Sequence, residues 1–109
     1  MNRRIRLTLP GFLLAAALLP STAWADEAHI TIDNFTFSPS VLTVTVGTKV
    51  TWTNRDDIPH TITDVDHPKD IKSPALDTGD TYSRTFTVAG SYHYFCSLHS
   101  HMQGTMIVE

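Results

Sequence analysis

From residue 29 to the end of the chain, apolar and polar residues alternate in short runs, and this alternation most constrains the fold. The runs are rich in β-branched and aromatic residues at a period of two, and Gly, Pro, Asp or Asn separates them. No window carries a helical stripe. Seven or eight such strands predict an all-β, antiparallel sandwich. The predicted strands are 29–32, 35–37, 41–46, 49–54, 60–63, 81–88, 91–96 and 105–108.

One region, 64–80, interrupts the alternation. It contains five aspartates and two prolines, and no sustained period of two. We expect a solvated surface loop with one helical turn.

The first 25 residues have the layout of a secretory signal. Three arginines precede an apolar stretch at 11–19, and small residues follow up to Ala25. The apolar stretch is shorter than the roughly 20 residues that a membrane-spanning helix needs. The sequence therefore predicts a signal peptide at 1–25, one domain at 26–109, a periplasmic location and no membrane span. The two adjacent arginines leave both Sec and twin-arginine export open.

Removal of that segment makes the protein strongly acidic. The chain has 8 basic and 11 acidic residues; three of the basic ones lie in 1–25 and all of the acidic ones follow it, which leaves a net charge of −6. Such a charge disfavours nucleic acid and anionic membranes as partners, and suits a cationic protein surface. We expect a monomer. A single core of this size gives modest stability, and one cysteine cannot form an internal disulfide. A bound metal would be another source of stabilisation.

That single cysteine lies among metal donors near the end of the chain. Cys96, His99 and Met102 are spaced three residues apart, and a tight turn can bring donors at this spacing to one point. Strand parity places His93 on the face opposite Cys96 and so removes it from the set. A fourth donor must come from elsewhere. His60 is the best candidate, because it follows a proline at the start of a predicted strand.

One thiolate, two imidazoles and one thioether indicate copper. Structural zinc binds Cys and His in sets of four and has no use for methionine. Two His and one Cys with a weak axial Met are the ligands of the blue-copper electron-transfer site. This set leaves no open position for a substrate. We therefore expect one copper ion per chain, cycling between Cu(II) and Cu(I), and no enzymatic activity. Cysteine alone would suggest only a buried thiol.

The region 30–109 resembles the cupredoxins, the small type 1 blue copper proteins. The most specific part is the pattern GxYxYxCxxHxxMxG at 90–104, and its two-residue gap before the methionine is typical of the amicyanin branch. The resemblance implies a Greek-key β-sandwich of seven to eight strands. It also implies electron exchange with larger redox proteins, such as a dehydrogenase, a cytochrome or an oxidase, that dock near His99. The ligands that it implies are His60, Cys96, His99 and Met102.

Two positions depart from the family pattern. Thr61 replaces an asparagine that links the two ligand-bearing loops, and we expect its hydroxyl to bridge the same gap. Leu98 replaces the proline of amicyanins and so adds a backbone N–H. We hypothesise that the N–H groups of Leu98 and Thr61 both donate to the Cys96 sulfur and raise the reduction potential.

The remaining histidines have plainer interpretations. His101, two residues from His99, is either a solvent-facing neighbour of the site or a second anchor during metal loading. We expect solvated side chains at His29, His67 and His93, and core positions for Trp52 and Met106.

Two other functions stay open at this point. A copper-delivery protein would use the same ligands, although such carriers more often expose clusters of Met or His, and His99 with His101 is the only hint of one. A metal-free adhesion sandwich would leave the ligand spacing unexplained.

Overall fold

The computed structural model describes residues 26–109. The predicted signal peptide, with its cleavage point after Ala25, lies outside the described residues. Within them the chain forms two four-stranded sheets and no helix, and hence no helix able to cross a membrane. The strands are β1 (Glu27–Asp33), β2 (Thr36–Ser38), β3 (Val41–Val44), β4 (Thr48–Asn54), β5 (Thr63–Asp64), β6 (Thr81–Phe86), β7 (Gly90–Cys96) and β8 (His99–Val108).

The strand order is β2-β1-β4-β6 in one sheet and β3-β8-β7-β5 in the other. β1 pairs parallel with β4, and β3 pairs parallel with β8, whereas the other neighbours are antiparallel. The predicted all-β sandwich is confirmed, but its purely antiparallel pairing is wrong. The chain crosses to the second sheet at β3 and returns at β4, which brings β4 alongside β1 in the same direction.

The core lies between the sheets and is built on aromatic rings. Trp52 of β4 and Tyr94 of β7 meet across the sheets with ring centroids 5.5 Å apart, nearly perpendicular at 88°. Phe37 of β2 packs against the same tyrosine at 4.8 Å. Trp52 and Met106 are both 0% exposed, so their predicted core positions are confirmed. Each fully buried side chain of Val, Leu, Ile, Phe or Met size contributes about 1.5–3 kcal/mol.

The irregular region 64–80 is more than a surface loop. Most of it is exposed, but Ile71 and Leu76 are 0% and 2% exposed and belong to the core. The predicted helical turn is wrong: the N–H of Asp70 donates to the His67 carbonyl at 2.8 Å in a simple turn. The buried pair of aliphatic residues holds the loop against the sandwich, and Leu76 pairs with His60 in an isolated bridge.

Candidate metal centre

Cys96 and His99 face each other across a two-residue turn between β7 and β8. The pair before them joins Phe95 to Gln103, so three residues of β8 lie out of register and form a bulge. We predicted the last strand at 105–108, with the donors in a loop before it. The structure instead begins β8 at His99, and the bulge explains why the alternation did not reveal this part of the strand.

Strand parity sorts the side chains of the hairpin as predicted. Tyr94 and Cys96 are each 0% exposed, whereas His93 on the opposite face is exposed. Met102 lies in the bulge, is 4% exposed and belongs to the same buried cluster as Cys96. The hairpin therefore turns a thiol and a thioether inward, while the imidazole of His99 stays partly exposed.

His60 reaches this region from the segment between β4 and β5. Its N–H donates to the Leu76 carbonyl at 3.1 Å, and its carbonyl accepts from the Leu76 N–H at 2.8 Å. The Asn54 side chain donates to the carbonyls of Ile58 and Leu76 at 2.9 and 2.8 Å. These bonds fix the backbone on both sides of His60. Its side chain is 0% exposed and points into the interior.

The three donors predicted to bind metal meet at one point. The Cys96 Sγ lies 3.7 Å from Nδ1 of His60 and 3.6 Å from Nδ1 of His99, and all three atoms lie within 4.8 Å of one another. Metal bonds of about 2.0 Å to nitrogen and 2.3 Å to sulfur, roughly 120° apart, separate such atoms by about 3.7 Å. The geometry fits a single ion held by two imidazoles and a thiolate, which is the strong part of a type 1 copper set.

The profile of the copper-binding proteins of the plastocyanin/azurin family matches residues 25–109. The chain belongs to this family, the cupredoxins. Copper is accordingly its cofactor, in agreement with the donor set that the fold brings together.

Named relatives agree with this assignment. Amicyanin of Paracoccus denitrificans is 36% identical in an alignment 109 residues long, gaps included, which covers 91% of this chain and 83% of the relative. Amicyanin-alpha of Methylorubrum extorquens is 34% identical over 101 residues, with 88% and 85% covered. Among solved structures, a purple cupredoxin from Nitrosopumilus maritimus superposes with a TM-score of 0.69 at 37% identity, and the match covers 75% of this chain and 99% of that one.

Thr61 links the two ligand-bearing segments of the cupredoxin, as its position predicted. Its hydroxyl oxygen accepts from the N–H of Ser97 at 2.7 Å and lies 2.8 Å from the Ser97 hydroxyl. Its own N–H donates to the Cys96 sulfur at 3.3 Å. One residue next to His60 therefore holds both the sulfur and the turn that follows it.

The hypothesis that Leu98 also donates to the sulfur is wrong. Among the hydrogen bonds of the described residues, Cys96 Sγ accepts from Thr61, by the N–H at 3.3 Å and weakly by the hydroxyl at 3.9 Å, and not from Leu98. Leu98 lies in the outward-facing turn, and its side chain is 54% exposed.

A buried carboxylate supports the far side of the His60 ring. Nε2 of His60 lies 2.7 Å from Oδ2 of Asp56. Burial alone would raise the pKa of Asp56, but hydrogen bonds from the N–H groups of Phe35 and Asn34 and from His60 hold that pKa below its usual value. An ionised Asp56 accepts the proton on Nε2, which leaves Nδ1 as the lone-pair donor facing the Cys96 sulfur.

Sequence reasoning missed both Asp56 and Phe35. We predicted a strand with Phe35 and Phe37 on one face, but Phe37 is 1% exposed and Phe35 is 50% exposed at a positive φ of 57°. The ring of Phe35 instead packs on two of the predicted donors, with its centroid 5.5 Å from that of His60 and 5.1 Å from that of His99. Asp56 lies only four residues before His60, but in an irregular segment without a period that would show which side chains meet. Phe35 had no local signal, because it acts on a site built from segments distant in the chain.

The predicted solvated positions of His29, His67 and His93 are confirmed, and His101 is exposed as both of its alternative roles require. None of the four has its ring nitrogens in the donor cluster formed by the described residues.

Proposed function

We propose that this cupredoxin is a periplasmic type 1 blue copper protein that carries single electrons between larger redox proteins. The observation that carries the proposal is the convergence of the His60, Cys96 and His99 donor atoms within 4.8 Å, at a hairpin that also buries Met102. In this proposal these four residues are the ligands, with Met102 as the weak axial one. Bound copper supplies the one-electron couple.

The chain's own contribution is to hold the donors still and keep water out. His60 and Cys96 are 0% exposed and Met102 is 4% exposed, so three of the four side chains are fixed by core packing. A frame that does not rearrange on electron transfer favours fast exchange, and a set with no free position has nowhere to activate a substrate. The protein would therefore act as a carrier and not as an enzyme.

The partly exposed His99 supplies the route to a partner. Its neighbours Ser97, Leu98, Ser100 and His101 are all exposed and surround it at the end of the sandwich. We propose that a dehydrogenase, cytochrome or oxidase docks against this end of the monomer. The negative charge of residues 26–109 suits a cationic partner surface.

Addition of Cu(II) to purified residues 26–109 tests the site. An intense visible thiolate-to-copper charge-transfer band should appear with the wild type and vanish in Cys96→Ala. His99→Ala should also lose the band, whereas His101→Ala, a matched change at an exposed neighbour, should keep it. A colourless wild type, or equal losses in the two histidine variants, would contradict the assignment.

A copper-delivery role is the competing function, and two rates separate it from electron transfer. Oxidation of the copper(I)-loaded protein by a redox protein, followed by stopped flow, should be fast. Transfer of copper from the protein to a metal-free acceptor protein should be slow. The buried positions of Met102 and Met106 favour this outcome, because a carrier that hands over metal needs accessible donors. The reverse order of the two rates would favour delivery.

Expression of the full chain in a Gram-negative host tests the export proposal. We expect the protein in the periplasmic fraction with Asp26 as its first residue, measured by intact mass. A cytoplasmic, uncleaved product would contradict it.

A further inference from the structure

The segment that precedes β2 has a backbone that its sequence does not favour. Asn34 and Phe35 are consecutive residues with positive φ, at 51° and 57°. Asparagine tolerates the left-handed region, but a bulky aromatic side chain rarely adopts it. Such backbone strain persists only where surrounding contacts enforce it, and an observed outlier of this kind points to a role in function.

The contacts that enforce it come from one carboxylate. The N–H of Asn34 donates to Asp56 Oδ1 at 2.6 Å, and the N–H of Phe35 donates to Asp56 Oδ2 at 2.9 Å. The same Oδ2 lies 2.7 Å from Nε2 of His60. A single side chain thus ties the strained turn to the buried ligand.

The turn places the Phe35 ring against both histidine ligands. Its centroid is 5.5 Å from that of His60 and 5.1 Å from that of His99, with interplanar angles of 86° in both cases. The two imidazoles are themselves 5.0 Å apart at 61°. These values fall in the favoured range for edge-to-face aromatic pairs. The three rings therefore form one cluster, and Phe35 as a residue remains 50% exposed.

The two imidazoles differ in what else holds them. The His60 ring has a partner on each nitrogen, with Asp56 at Nε2 and the Cys96 sulfur at Nδ1. Among the side-chain hydrogen bonds of the described residues, the His99 ring has only the contact of its Nδ1 with that sulfur. The rotation of the His99 ring is therefore restrained chiefly by its ring neighbours.

We propose that Phe35 is a positioning residue for the metal centre: clamped by Asp56, its ring sets the orientation of His99 relative to His60. This proposal rests on the proposed ligands, because it concerns how two of them are held. It assigns to the strained Asn34–Phe35 turn the role of a third supporting segment, beside the His60 segment and the hairpin. An exposed ring used only for docking would need neither the left-handed backbone nor contact with both imidazoles.

Three substitutions test this positioning role. Phe35→Ala removes the ring, Phe35→Tyr keeps it, and Asn34→Gly relaxes the neighbouring backbone without touching the ring. In the apo-protein, side-chain NMR should show increased mobility of the His99 ring in Phe35→Ala, with the wild-type signal retained in the other two. In the copper-loaded protein, Phe35→Ala should shift the visible spectrum and weaken copper binding by roughly twofold to tenfold, as expected for the loss of edge-to-face contacts.

The outcomes separate this proposal from its alternatives. If Phe35→Ala leaves the His99 ring, the spectrum and the copper affinity unchanged and slows only the reaction with a redox partner, Phe35 is a docking residue and the proposal is overturned. The proposal is also overturned if Phe35→Tyr, which keeps the ring, changes the His99 ring mobility, the spectrum and the copper affinity as much as Phe35→Ala does. The NMR measurement on the apo-protein needs no metal, so it supports or rejects the positioning role even if the copper-site assignment fails.

Discussion

Tyr94 lies in the core against Trp52, two residues before Cys96 on β7, and its polar end is unpaired among the described residues. It is 0% exposed, and neither its hydroxyl nor the indole N–H of Trp52 has a hydrogen-bond partner among the described residues. Burial raises the pKa of Tyr94 to about 12, and the nearby Trp52 acts in the opposite direction without reaching hydrogen-bond geometry. The folded state therefore prefers the neutral phenol.

This burial predicts a loss of stability in alkali. A phenol ionises near pH 10 in the unfolded chain, so its contribution is fully present below that pH and is lost as pH rises through the folded value of about 12. A two-unit shift corresponds to about 2.7 kcal/mol. Urea unfolding of the apo-protein at a series of pH values from 9 to about 12 should show this fall.

Tyr94→Phe removes the ionising hydroxyl and should reduce the loss of unfolding free energy in alkali. Stability at neutral pH should be nearly unchanged, because this hydroxyl has no hydrogen-bond partner among the described residues. Tyr82→Phe, at a partly exposed tyrosine, should keep the wild-type dependence. Equal slopes for wild type and Tyr94→Phe would contradict the assignment.

Gly104 shows how closely the chain approaches the same tyrosine. It pairs with Tyr94 across β7 and β8, and a Cβ built at Gly104 would lie 2.4 Å from Cζ of the Tyr94 ring. Gly104→Ala should therefore destabilise the protein by about 1–3 kcal/mol through overpacking. Urea unfolding measures this, with Gln103→Ala at the adjacent exposed position as the control. Combining Gly104→Ala with Tyr94→Leu should recover part of the loss; a strictly additive pair would show that the clash is not the cause.

At the scale of elements, the hydroxyl of Thr61 is one of the links between the His60 segment and the β7–β8 hairpin. Thr61→Val should lose the bond accepted from the Ser97 N–H and cost about 1 kcal/mol in urea unfolding of the apo-protein. It should also alter the visible spectrum of the copper-loaded form. Thr61→Ser keeps the oxygen and should resemble the wild type. Val and Ser variants of equal stability and colour would argue against this bridge.

The strands show where sequence reasoning succeeds and where it stops. A period of two located most strands approximately, because one face of each lies in the core. The strand predicted at 60–63 is wrong, since His60 forms only an isolated bridge and β5 is Thr63–Asp64. The period of two also failed at the start of β8, where a bulge breaks the alternation, and in 64–80, where Ile71 and Leu76 are buried without any strand pattern. It also missed the parallel pairs, because local patterns carry no information on which distant strand lies alongside.

The same distinction holds for the site. Cys96, His99 and Met102 are close in sequence, so their spacing was enough to group them. His60 was added because it follows a proline at the start of a predicted strand, and the resemblance implied the same residue. Phe35 acts through contacts that only the folded chain brings together, and its hydrogen bond to Asp56 joins residues 21 apart. Asp56 is four residues from His60, but no regular pattern in that segment indicates that the two side chains meet.

At the scale of the whole molecule, a metal bound at the centre would join segments 36 residues apart, from His60 to Cys96. Binding only to the folded state stabilises it by about 4 kcal/mol at a thousandfold excess over Kd. For a domain of this size that corresponds to a rise in Tm of roughly 15 °C or more. Thermal unfolding with and without copper tests this, and chelation should reverse the rise. Cys96→Ser should show little of it; a rise that persists in Cys96→Ser would mean that copper binds elsewhere.

Both ends of the described chain lie at the turn between β3 and β4. The Lys49 N–H donates to the Asp26 carbonyl at 2.9 Å, and the Val46 N–H donates to the Glu109 carbonyl at 3.1 Å. β7 runs from this end to the metal centre over seven residues, a length of about 20 Å. A tether joined at Asp26 or Glu109, such as a linker to an electrode or a fused enzyme, would therefore hold the domain with the His99 edge facing outward.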